Sequence, residues 1–472
     1  MAVWLQLLPL RYHEISEAGR EEHVGCTFGK PALPIYPGAG LYRNVHLIIT
    51  EDAYIPVWGT YITTPSVNEK FAKVNVRTKV VLPEGADPAK YSVETSVWNP
   101  NKQKLTAVRT SLAQMKYNNN QAEQEFVIQA PSLWSPEMPA LYSAETRLYE
   151  GDKLKDIYTT PFGIRSIEII PDKGFFLNGK RTVFKGVCNH HDLGPLGAAV
   201  NDAAIRRQIR ILKDMGCNAI RTSHNMPAPE LIRACDEMGM MIMAESFDEW
   251  NVAKCKNGYN LLFDEWAEKD LVNLLHNFRN NPSVVMWCIG NEVPNQWNEG
   301  DCKIAKWLQD ICHREDPTRP VTQGMDAPDA VVNNNMAGVM DVAGFNYRPF
   351  KYKINYKKLP QRIVLGSETA STVSSRGVYK FPVERKAMAK YDDHQASSYD
   401  VEHCGWSNLP EDDFIQHEDL PYCIGEFVWT GFDYLGEPTP YYTDWPSHSS
   451  LFGIIDLAGI PKDRFYLYRS HW

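Results

Sequence analysis

The sequence predicts a multidomain protein of the β plus α/β class, in which antiparallel β domains precede a (β/α)₈ TIM barrel. The chain has 472 residues, which is too long for one compact domain. From residue 41 to about 165, apolar and polar side chains tend to alternate with period two, which is typical of half-buried strands. From residue 183 onward, short apolar strands alternate with amphipathic helices, which indicates a parallel sheet.

Composition excludes several classes of protein. The net charge is −9 and no basic block is present, so a nucleic-acid partner is not expected. The ten cysteines follow no paired spacing, so neither a zinc ribbon nor a disulfide framework is predicted. No apolar run reaches the ~18–20 residues that span a bilayer, and no membrane association is expected. Residues 1–10 lack a basic start and a cleavage site, so the protein is expected to be soluble, either cytoplasmic or periplasmic.

The predicted sandwich rests on residues 74–80 and 91–97, which alternate strictly. Turn residues at 99–101 and 118–120 separate such strands. Short alternating strands between turns are typical of an antiparallel sandwich of about 100 residues. This part of the chain is not expected to carry an enzyme core.

The helices of the barrel are predicted from their caps and apolar faces. Asn201 or Asp202 can cap a helix that ends at Gly216, and a second helix starts at Pro229 and ends at Gly239. The apolar faces are Ile205, Ile209, Leu212 and Met215 in the first helix, and Leu231, Ile232, Cys235 and Met238 in the second.

Eight buried strands are predicted between and after these helices. They are residues 183–187, 217–220, 240–244, 284–289, 321–323, 342–345, 363–365 and 422–428. Strands that are apolar on both faces and separated by helices form parallel sheets. The number eight favours a closed barrel over an open doubly wound sheet.

Polar side chains follow seven of the eight strands directly. They include His190 and His191, Arg221 and His224, Glu245, Asn291 and Glu292, Asn346 and Tyr347, Glu368, and Trp429 with Asp433. In a (β/α)₈ barrel the chemistry takes place where the strands end, at the carboxyl-terminal face. So many polar strand ends predict a catalytic site there.

Glu292 and Glu368 follow the fourth and seventh strands, across the ring from each other. Two carboxyl groups ~5–5.5 Å apart cleave a glycosidic bond with retention, one as acid/base and one as nucleophile. Arg221 is a candidate to keep Glu368 ionised, and Tyr347 could donate a hydrogen bond to the same carboxylate. An ion pair at a strand end is the alternative for each glutamate. A charge placed directly after the buried run 287–290 favours a functional role for Glu292.

Four segments resemble glycoside hydrolase family 2, the family of β-galactosidases, β-glucuronidases and β-mannosidases. They are GFFLNGKRTVFKGVCNHHD (174–192), NAIRTSHN (218–225), NPSVVMWCIGNEV (281–293) and GEFVWTGFDY (425–434). The resemblance implies three regions: residues 1–62 with a non-matching start and the remnant of a jelly roll (GAGLYRNVHL), an immunoglobulin-like sandwich at 63–165, and the barrel at 166–472. Relative to the family, the chain is expected to be a fragment, truncated at both ends, or to have an altered reading frame at its start.

The resemblance also implies roles for individual residues. Glu292 matches the acid/base, Asn291 the residue that holds the sugar's 2-hydroxyl, and Glu368 the nucleophile. The remaining implied sugar-site residues are His191, His224, Arg221, Tyr347 and Trp429. For His190, a packing role and a site role both stay open. Trp406, Tyr441 and Trp445 could stack on sugar rings or simply pack loops.

A neutral sugar is predicted for the substrate. The Asn-x-Lys motif by which family glucuronidases resemble one another is absent, and Lys462 is the sole lysine between Ser449 and Asp463. The overall resemblance leans towards the β-galactosidases, which implies an exo-acting enzyme whose partner is a β-galactoside oligosaccharide or glycoconjugate, with a β-mannoside or another neutral β-glycoside as the alternative. Phe-Asp-Glu-Trp at 247–250 stands where some members bind Mg²⁺ through a Glu-x-His, so metal dependence is not carried over. No cofactor is predicted, and Mg²⁺ or Na⁺ stays open without support from the matched positions.

Two other hypotheses on function and one on oligomeric state stay open. The chain could be an inactive carbohydrate-binding fragment that keeps the site residues without their support. A metal-dependent hydrolase using His190, His191 and His224 is the least favoured, because no His-x-His begins the first strand. The sequence also leaves a homo-oligomer open.

Overall fold

The computed structural model describes residues 43–114, 121–418 and 420–472. The predicted non-matching start, residues 38–42 of the predicted jelly-roll remnant, and the predicted turn at 118–120 lie outside the described residues. Within them, a β-sandwich precedes a closed eight-stranded parallel barrel. The predicted fold class is therefore confirmed.

The sandwich consists of two antiparallel sheets. One has the order β1-β2-β5 and the other β4-β3-β6-β7. The strands are β1 (Thr60–Val67), β2 (Phe71–Lys79), β3 (Tyr91–Trp98), β4 (Lys104–Ser111), β5 (Gln121–Gln129), β6 (Tyr142–Glu150) and β7 (Lys153–Phe162). The alternation noted in β2 puts Val74 and Val76 into the sandwich core, as period-two patterning requires.

A small antiparallel sheet connects the sandwich to the barrel. It consists of β8 (Ile167–Ile170), β9 (Gly174–Leu177) and β10 (Lys180–Thr182). Buried Phe175 of this sheet lies 4.7 Å, between ring centroids, from Phe184 in the first barrel strand. The sheet therefore covers the amino-terminal end of the barrel and leaves the carboxyl-terminal end for chemistry.

All eight predicted strands are present and close into one ring of parallel strands. They are β11 (Phe184–Asn189), β12 (Ala219–Thr222), β13 (Met241–Glu245), β14 (Val284–Asn291), β15 (Val321–Met325), β16 (Val342–Asn346), β17 (Val364–Thr369) and β20 (Cys423–Val428). The ring closes because β11 pairs with both β12 and β20. Two short strands, β18 (Lys386–Ala387) and β19 (Glu402–His403), pair within the long segment after β17.

Helices surround the ring. They are α1 (Asp202–Met215), α2 (Pro229–Met238), α3 (Phe263–Phe278), α4 (Cys302–Glu315), α5 (Pro328–Asn333), α6 (Tyr352–Tyr356), α7 (Pro410–His417) and α8 (Asp463–His471). The Asn201 side chain caps α1 by accepting from the Ala204 amide at 3.0 Å, and Gly216 ends it with φ 98°, as the sequence predicts. None of the helices in the described ranges is long and apolar enough to cross a membrane.

Asp316 joins the sandwich to the barrel. Its carboxylate accepts hydrogen bonds from the Tyr61 hydroxyl of β1 at 2.8 Å and the Trp287 indole of β14 at 3.0 Å. The Arg319 guanidinium lies 2.6 Å away and supplies the compensating charge. All four side chains are buried, so the carboxylate satisfies donors from both domains.

We expect Asp316→Ala to lower the free energy of unfolding by about 3–5 kcal/mol, because Arg319 would then be a buried charge without its partner. Urea unfolding monitored by tryptophan fluorescence measures the change. The matched control is Asp310→Ala in α4, where an exposed carboxylate pairs with Lys306; its loss should stay below about 0.5 kcal/mol. Equal losses in the two variants would contradict the prediction.

Candidate active site

A cleft of about 370 Å³ opens at the carboxyl-terminal ends of the barrel strands. Most of its walls come from the residues that follow β12, β14, β16, β17 and β20. The lining residues are His224, Asp248, Lys254, Asn291, Glu292, Asp326, Tyr347, Arg348, Glu368, Trp406, Trp429 and Glu437. Polar strand ends thus meet in one cavity, at the face where barrel enzymes carry their chemistry.

Glu292 and Glu368 face each other across this cleft. Glu292 directly follows β14, and Glu368 is the fifth residue of β17. The Asn346 side-chain amide nitrogen lies 2.9 Å from Oε1 of Glu292 and 3.4 Å from Oε2 of Glu368. Those two oxygens can therefore be no farther apart than the sum of these distances, which is below the ~6.5–9.5 Å separation of inverting pairs. The spacing favours a pair that acts with retention.

Two donors hold the Glu368 carboxylate. The Arg221 guanidinium donates to Oε2 at 3.0 Å, and the Tyr347 hydroxyl donates to Oε1 at 2.6 Å. Both donors are buried, so each hydrogen bond is made away from competing water. The carboxylate is fixed in orientation, and the guanidinium compensates its negative charge.

Arg221 is itself fixed by three further contacts. It donates to Oε2 of Glu245 at 2.5 Å, to Oδ1 of Asn291 at 2.8 Å, and to the Ser367 carbonyl at 2.9 Å. Burial works against the charge, but the Glu245 carboxylate beside it raises the pKa of Arg221 well above its ordinary value. The guanidinium therefore stays charged and joins strands β12, β13, β14 and β17 under the cleft.

Glu292 lies in a different electrostatic environment. Burial raises the pKa of Glu292 to about 7, and the neighbouring negative charge of Glu368 adds to the shift. Such a carboxyl group is about half protonated at pH 7 and can give its proton to a leaving oxygen. Among the described residues, no ion pair to Glu292 is as close as that of Arg221 to Glu368. The two glutamates are thus set up for opposite roles.

His224 and Trp429 form the apolar wall of the cleft. Their rings stack at 5.3 Å between centroids with 3° between planes. The Nδ1 atom of His224 lies 2.8 Å from Oε1 of Glu245. Burial lowers the pKa of His224, but the Glu245 carboxylate outweighs it, and the net pKa is raised. The remaining nitrogen, Nε2, lies 3.9 Å from Glu368, so it is placed to donate to a sugar hydroxyl there.

A second carboxylate network lies beside Asn291. The Asn291 amide donates to Oδ1 of Asp248 at 3.2 Å, and the Lys254 ammonium lies 2.8 Å from the same oxygen. Burial would raise the pKa of Asp248, but the Lys254 charge lowers it strongly. Asp248 is therefore ionised and can accept a hydrogen bond from a sugar hydroxyl.

The histidines after β11 lie apart from the cleft. His191 lines an adjoining small cavity between β11, β12 and α1, with its Nδ1 atom 3.5 Å from the Asn225 amide nitrogen. His190 packs edge-on against Trp429 at 5.2 Å and Tyr434 at 4.4 Å between centroids. The structure therefore brings His224 into the cleft, but not His191, and places His190 behind Trp429.

Of the other predicted aromatic residues, one lines the cleft and two do not. Trp406 lines the cleft, whereas Tyr441 is buried and donates to the Gln395 carbonyl within the surrounding loops. Trp445 is 86% exposed and lines no part of the cleft. Within the described ranges, no three His, Cys, Asp or Glu side chains come together in an arrangement that could hold a metal ion.

Several residues in or beneath the cleft have no individual role in the sequence analysis. Glu245 and Asn346 are noted there only as polar strand ends, and they lie beneath the cleft in contact with Arg221 and with the two glutamates, respectively. Asp248 lies three residues beyond β13, and Asp326 directly follows β15, so both could have been inferred from proximity to a strand end. Residues 254, 348 and 437 lie in loops, and no local pattern marks them.

Comparisons with known proteins place both domains of the chain in one family. The family described as "Glycosyl hydrolases family 2, TIM barrel domain" matches residues 168–442, and "Glycosyl hydrolases family 2" matches residues 54–165. The chain is 39% identical to "Beta-galactosidase BoGH2A" of Bacteroides ovatus over 93% of this chain and 56% of that protein. It is 28% identical to a "Beta-glucuronidase" of Bacteroides fragilis over 92% of this chain and 62% of that protein.

A solved structure is also similar to this chain over most of its length. The crystal structure of a β-glycosidase from Bacteroides vulgatus matches with a TM-score of 0.81 and 32% identity, over 93% of this chain and 57% of that one. The chain spans about half the length of the curated relatives it matches.

A closed (β/α)₈ barrel with two glutamates facing each other at its carboxyl-terminal end defines the class as a glycoside hydrolase. The match of residues 168–442 to the TIM-barrel model of one family identifies the family within this class. The chain belongs to glycoside hydrolase family 2.

Proposed function

We propose that this chain is a retaining, exo-acting glycosidase that removes terminal β-D-galactosyl residues, with Glu368 as nucleophile and Glu292 as acid/base. The observation that supports it most is the single amide of Asn346, which contacts one oxygen of each carboxyl group and so holds the pair close together in one cleft. One carboxylate is paired with a buried arginine and the other has a raised pKa. This asymmetry is what double displacement needs.

In the first step, a Glu368 oxygen attacks the anomeric carbon while the glycosidic bond breaks. The proton of Glu292 goes to the departing oxygen, so the aglycone leaves as a neutral alcohol and the sugar stays bonded to Glu368. Positive charge that develops on the sugar ring is stabilised by the carboxylate itself. Arg221 and Tyr347 keep that carboxylate aimed at the carbon.

In the second step, Glu292 takes a proton from water and the hydroxide attacks the anomeric carbon. The bond to Glu368 breaks, and its electron pair returns to the carboxylate. Two inversions give net retention. Asn291 and Asp248 lie where hydroxyl groups of the sugar would be held during both steps.

Charge in the cleft supports a neutral sugar. Five lining residues are acidic, Asp248, Glu292, Asp326, Glu368 and Glu437, while only Lys254 and Arg348 are basic among lysines and arginines. Lys254 is already paired with Asp248. Among the lysines and arginines of the cleft lining, this leaves only Arg348 for a glucuronide carboxylate.

Lys462 is not available to a substrate acid either. It is buried, lies 2.7 Å from Asp433, and donates to the Ser374 carbonyl at 2.7 Å. Burial lowers the pKa of Lys462, although Asp433 partly offsets that effect. The lysine stabilises the segment after β20 and lies outside the cleft lining.

The names of the relatives indicate two different sugars. The 39% identical relative is named a β-galactosidase, whereas relatives at 30% and 28% identity carry the name β-glucuronidase. A galactoside is proposed because the more similar relative and the acidic cleft agree. A mannoside, a glucuronide, or binding without turnover by an inactive chain are the alternatives.

A panel of nitrophenyl β-glycosides tests the proposal directly. The galactoside should be cleaved with a kcat/KM at least about tenfold above that for the mannoside, glucoside and glucuronide. Proton NMR of the first-formed galactose should show the β-anomer. Preference for the glucuronide would overturn the sugar assignment, and binding of galactose without turnover would favour the inactive fragment.

We expect the alkaline limb of the pH profile to reflect Glu292. The acid must be protonated to act, so kcat/KM for alkyl β-galactosides should fall as the pH rises through about 7, the raised pKa of this group. Nitrophenyl galactosides, whose leaving groups need little protonation, should retain more activity above that pH. Initial rates of both kinds of substrate between pH 5 and 9 measure this difference.

Glu437 is the control for that profile, since burial also raises the pKa of Glu437 to about 7. In Glu437→Gln the limb should persist, even if the rate falls. If the limb disappears in this variant and persists in Glu292→Gln, the group that titrates is not the proposed acid.

A further inference from the structure

A second, larger cavity lies next to the catalytic cleft. It has a volume of about 510 Å³, compared with about 370 Å³ for the cleft. Residues 348–350 after β16 form one side, residues 405–408 after β19 form another, and α7 closes the third. We call this cavity the α7 groove.

The α7 groove and the cleft meet at two residues. Arg348 and Trp406 line both cavities. The Arg348 guanidinium donates to the Trp406 carbonyl, so the loops after β16 and β19 are tied together at the junction. A chain that leaves the cleft past these two residues therefore meets the α7 groove next.

The lining of the α7 groove has the chemistry of a sugar-binding surface. Trp406 and Phe350 present aromatic faces and are 36% and 57% exposed, which is more than buried packing would leave. Ser407, Asn408 and Gln416 add neutral hydrogen-bonding groups. Aromatic faces beside a few polar groups are typical of ligand sites that bind amphipathic molecules.

The α7 groove carries one ion pair and one further arginine. Arg385 is paired with Asp412 at 2.5 Å, so this pair adds no net charge. Arg348 donates to a main-chain carbonyl, and its other N–H groups can bond hydroxyl oxygens. The lining therefore suits a polyhydroxylated chain, and a neutral one continues the neutral sugar proposed for the cleft.

We propose that the α7 groove binds the aglycone side of the substrate, and that this substrate is a neutral oligosaccharide of at least three sugar units rather than a simple disaccharide. The inference rests on the proposed function, because the cleft must hold the terminal sugar for its aglycone to reach the junction. The α7 groove is larger than the cleft, so it has room for at least two units beyond the scissile bond. Phe350 lies beyond the junction and should contact the second of them.

The test compares substrates of increasing length that share the terminal sugar cleaved in the nitrophenyl panel. Wild-type kcat/KM should rise about tenfold or more from the disaccharide to the tetrasaccharide, since remote binding energy lowers the barrier at the reacting bond. Phe350→Ala should remove most of that rise while kcat/KM for the nitrophenyl glycoside stays within about twofold. Trp406→Ala, at the junction, should lower both.

Tyr466→Ala is the matched control, because Tyr466 lies on α8 and is similarly exposed, at 61%. In this variant kcat/KM should rise with substrate length as it does in the wild type. The ratio of tetrasaccharide to nitrophenyl kcat/KM is an internal reference, since partial unfolding lowers both terms alike. Gln416→Ala offers a second groove variant if Phe350→Ala does not fold.

The outcomes separate the two proposals. A flat length dependence in the wild type, or an unchanged ratio in both groove variants, overturns the α7 groove as an aglycone site. If no nitrophenyl glycoside is cleaved, the proposed function is what fails. The α7 groove is then tested by calorimetric titration with the same tetrasaccharide, where loss of affinity in Phe350→Ala but not Tyr466→Ala supports it and equal affinity overturns it.

Discussion

Glu368→Gln is expected to lower kcat for nitrophenyl β-galactoside by about four orders of magnitude or more, because a neutral amide cannot form the glycosyl-enzyme bond. The fold should persist, since the amide oxygen can still accept from Arg221 while the Tyr347 hydroxyl accepts from the amide nitrogen. Initial rates at saturating substrate measure the loss, and circular dichroism confirms the fold.

Glu437→Gln is the matched control for that variant, because Glu437 is a second glutamate of the same cleft. It should lose no more than about 100-fold, as expected for a group that only positions substrate. A 2-deoxy-2-fluoro galactoside provides an independent readout, since it should add its sugar to the peptide containing Glu368. Labelling of a different carboxylate would show that the nucleophile assignment is wrong.

Glu292→Ala is expected to lower kcat/KM for alkyl β-galactosides by about 10²–10⁴-fold, the contribution typical of a positioned acid. Nitrophenyl substrates should lose much less in the first step, because their leaving groups depart without protonation. Their glycosyl-enzyme should then accumulate, since no base activates water. Burst kinetics measure this accumulation.

Azide distinguishes the two glutamates. In Glu292→Ala, azide can enter the space left by the carboxyl group and attack the glycosyl-enzyme, so it should restore rate and give β-galactosyl azide. In Glu368→Ala, azide should instead attack the substrate from the opposite face and give the α-azide. Azide should leave the activity of the wild-type protein unchanged. The same anomer from both variants would contradict the assigned roles.

The barrel was predictable because its signals are local. Each strand is a short apolar run, and each helix has an apolar stripe with a cap, as Asn201 and Gly216 show for α1. These features depend on side-chain period and backbone preference within a few residues. All eight strands therefore appear in the predicted order, with ends shifted by up to four residues.

The main elements of the site were predictable for a related reason. Parallel strands in a closed ring deliver all their carboxyl ends to one face, so residues that directly follow strands must lie near one another. This rule brings together Arg221, Asn291, Glu292, Tyr347 and Glu368. It does not say which way a side chain points, so His191, which also follows a strand, lies in the adjoining cavity instead.

The electrostatic differences between the glutamates required the three-dimensional structure. Both glutamates follow apolar runs, and nothing local separates an acid from a nucleophile. Asn346, 54 residues from one and 22 from the other, contacts both carboxyl groups. The Asp248–Lys254 pair beside Asn291 likewise depends on the path of the loop after β13.

The amino-acid order by itself determined the strand and helix periods, the ring they close, and the acids at its carboxyl-terminal end, since each depends on the spacing of a few neighbouring residues. Tertiary structure alone decided how close those acids lie, which of them meets a buried cation, and where the α7 groove joins the cleft. Distances and burial are set by loops and packing between residues far apart in the chain, and a pKa depends on every charge within reach.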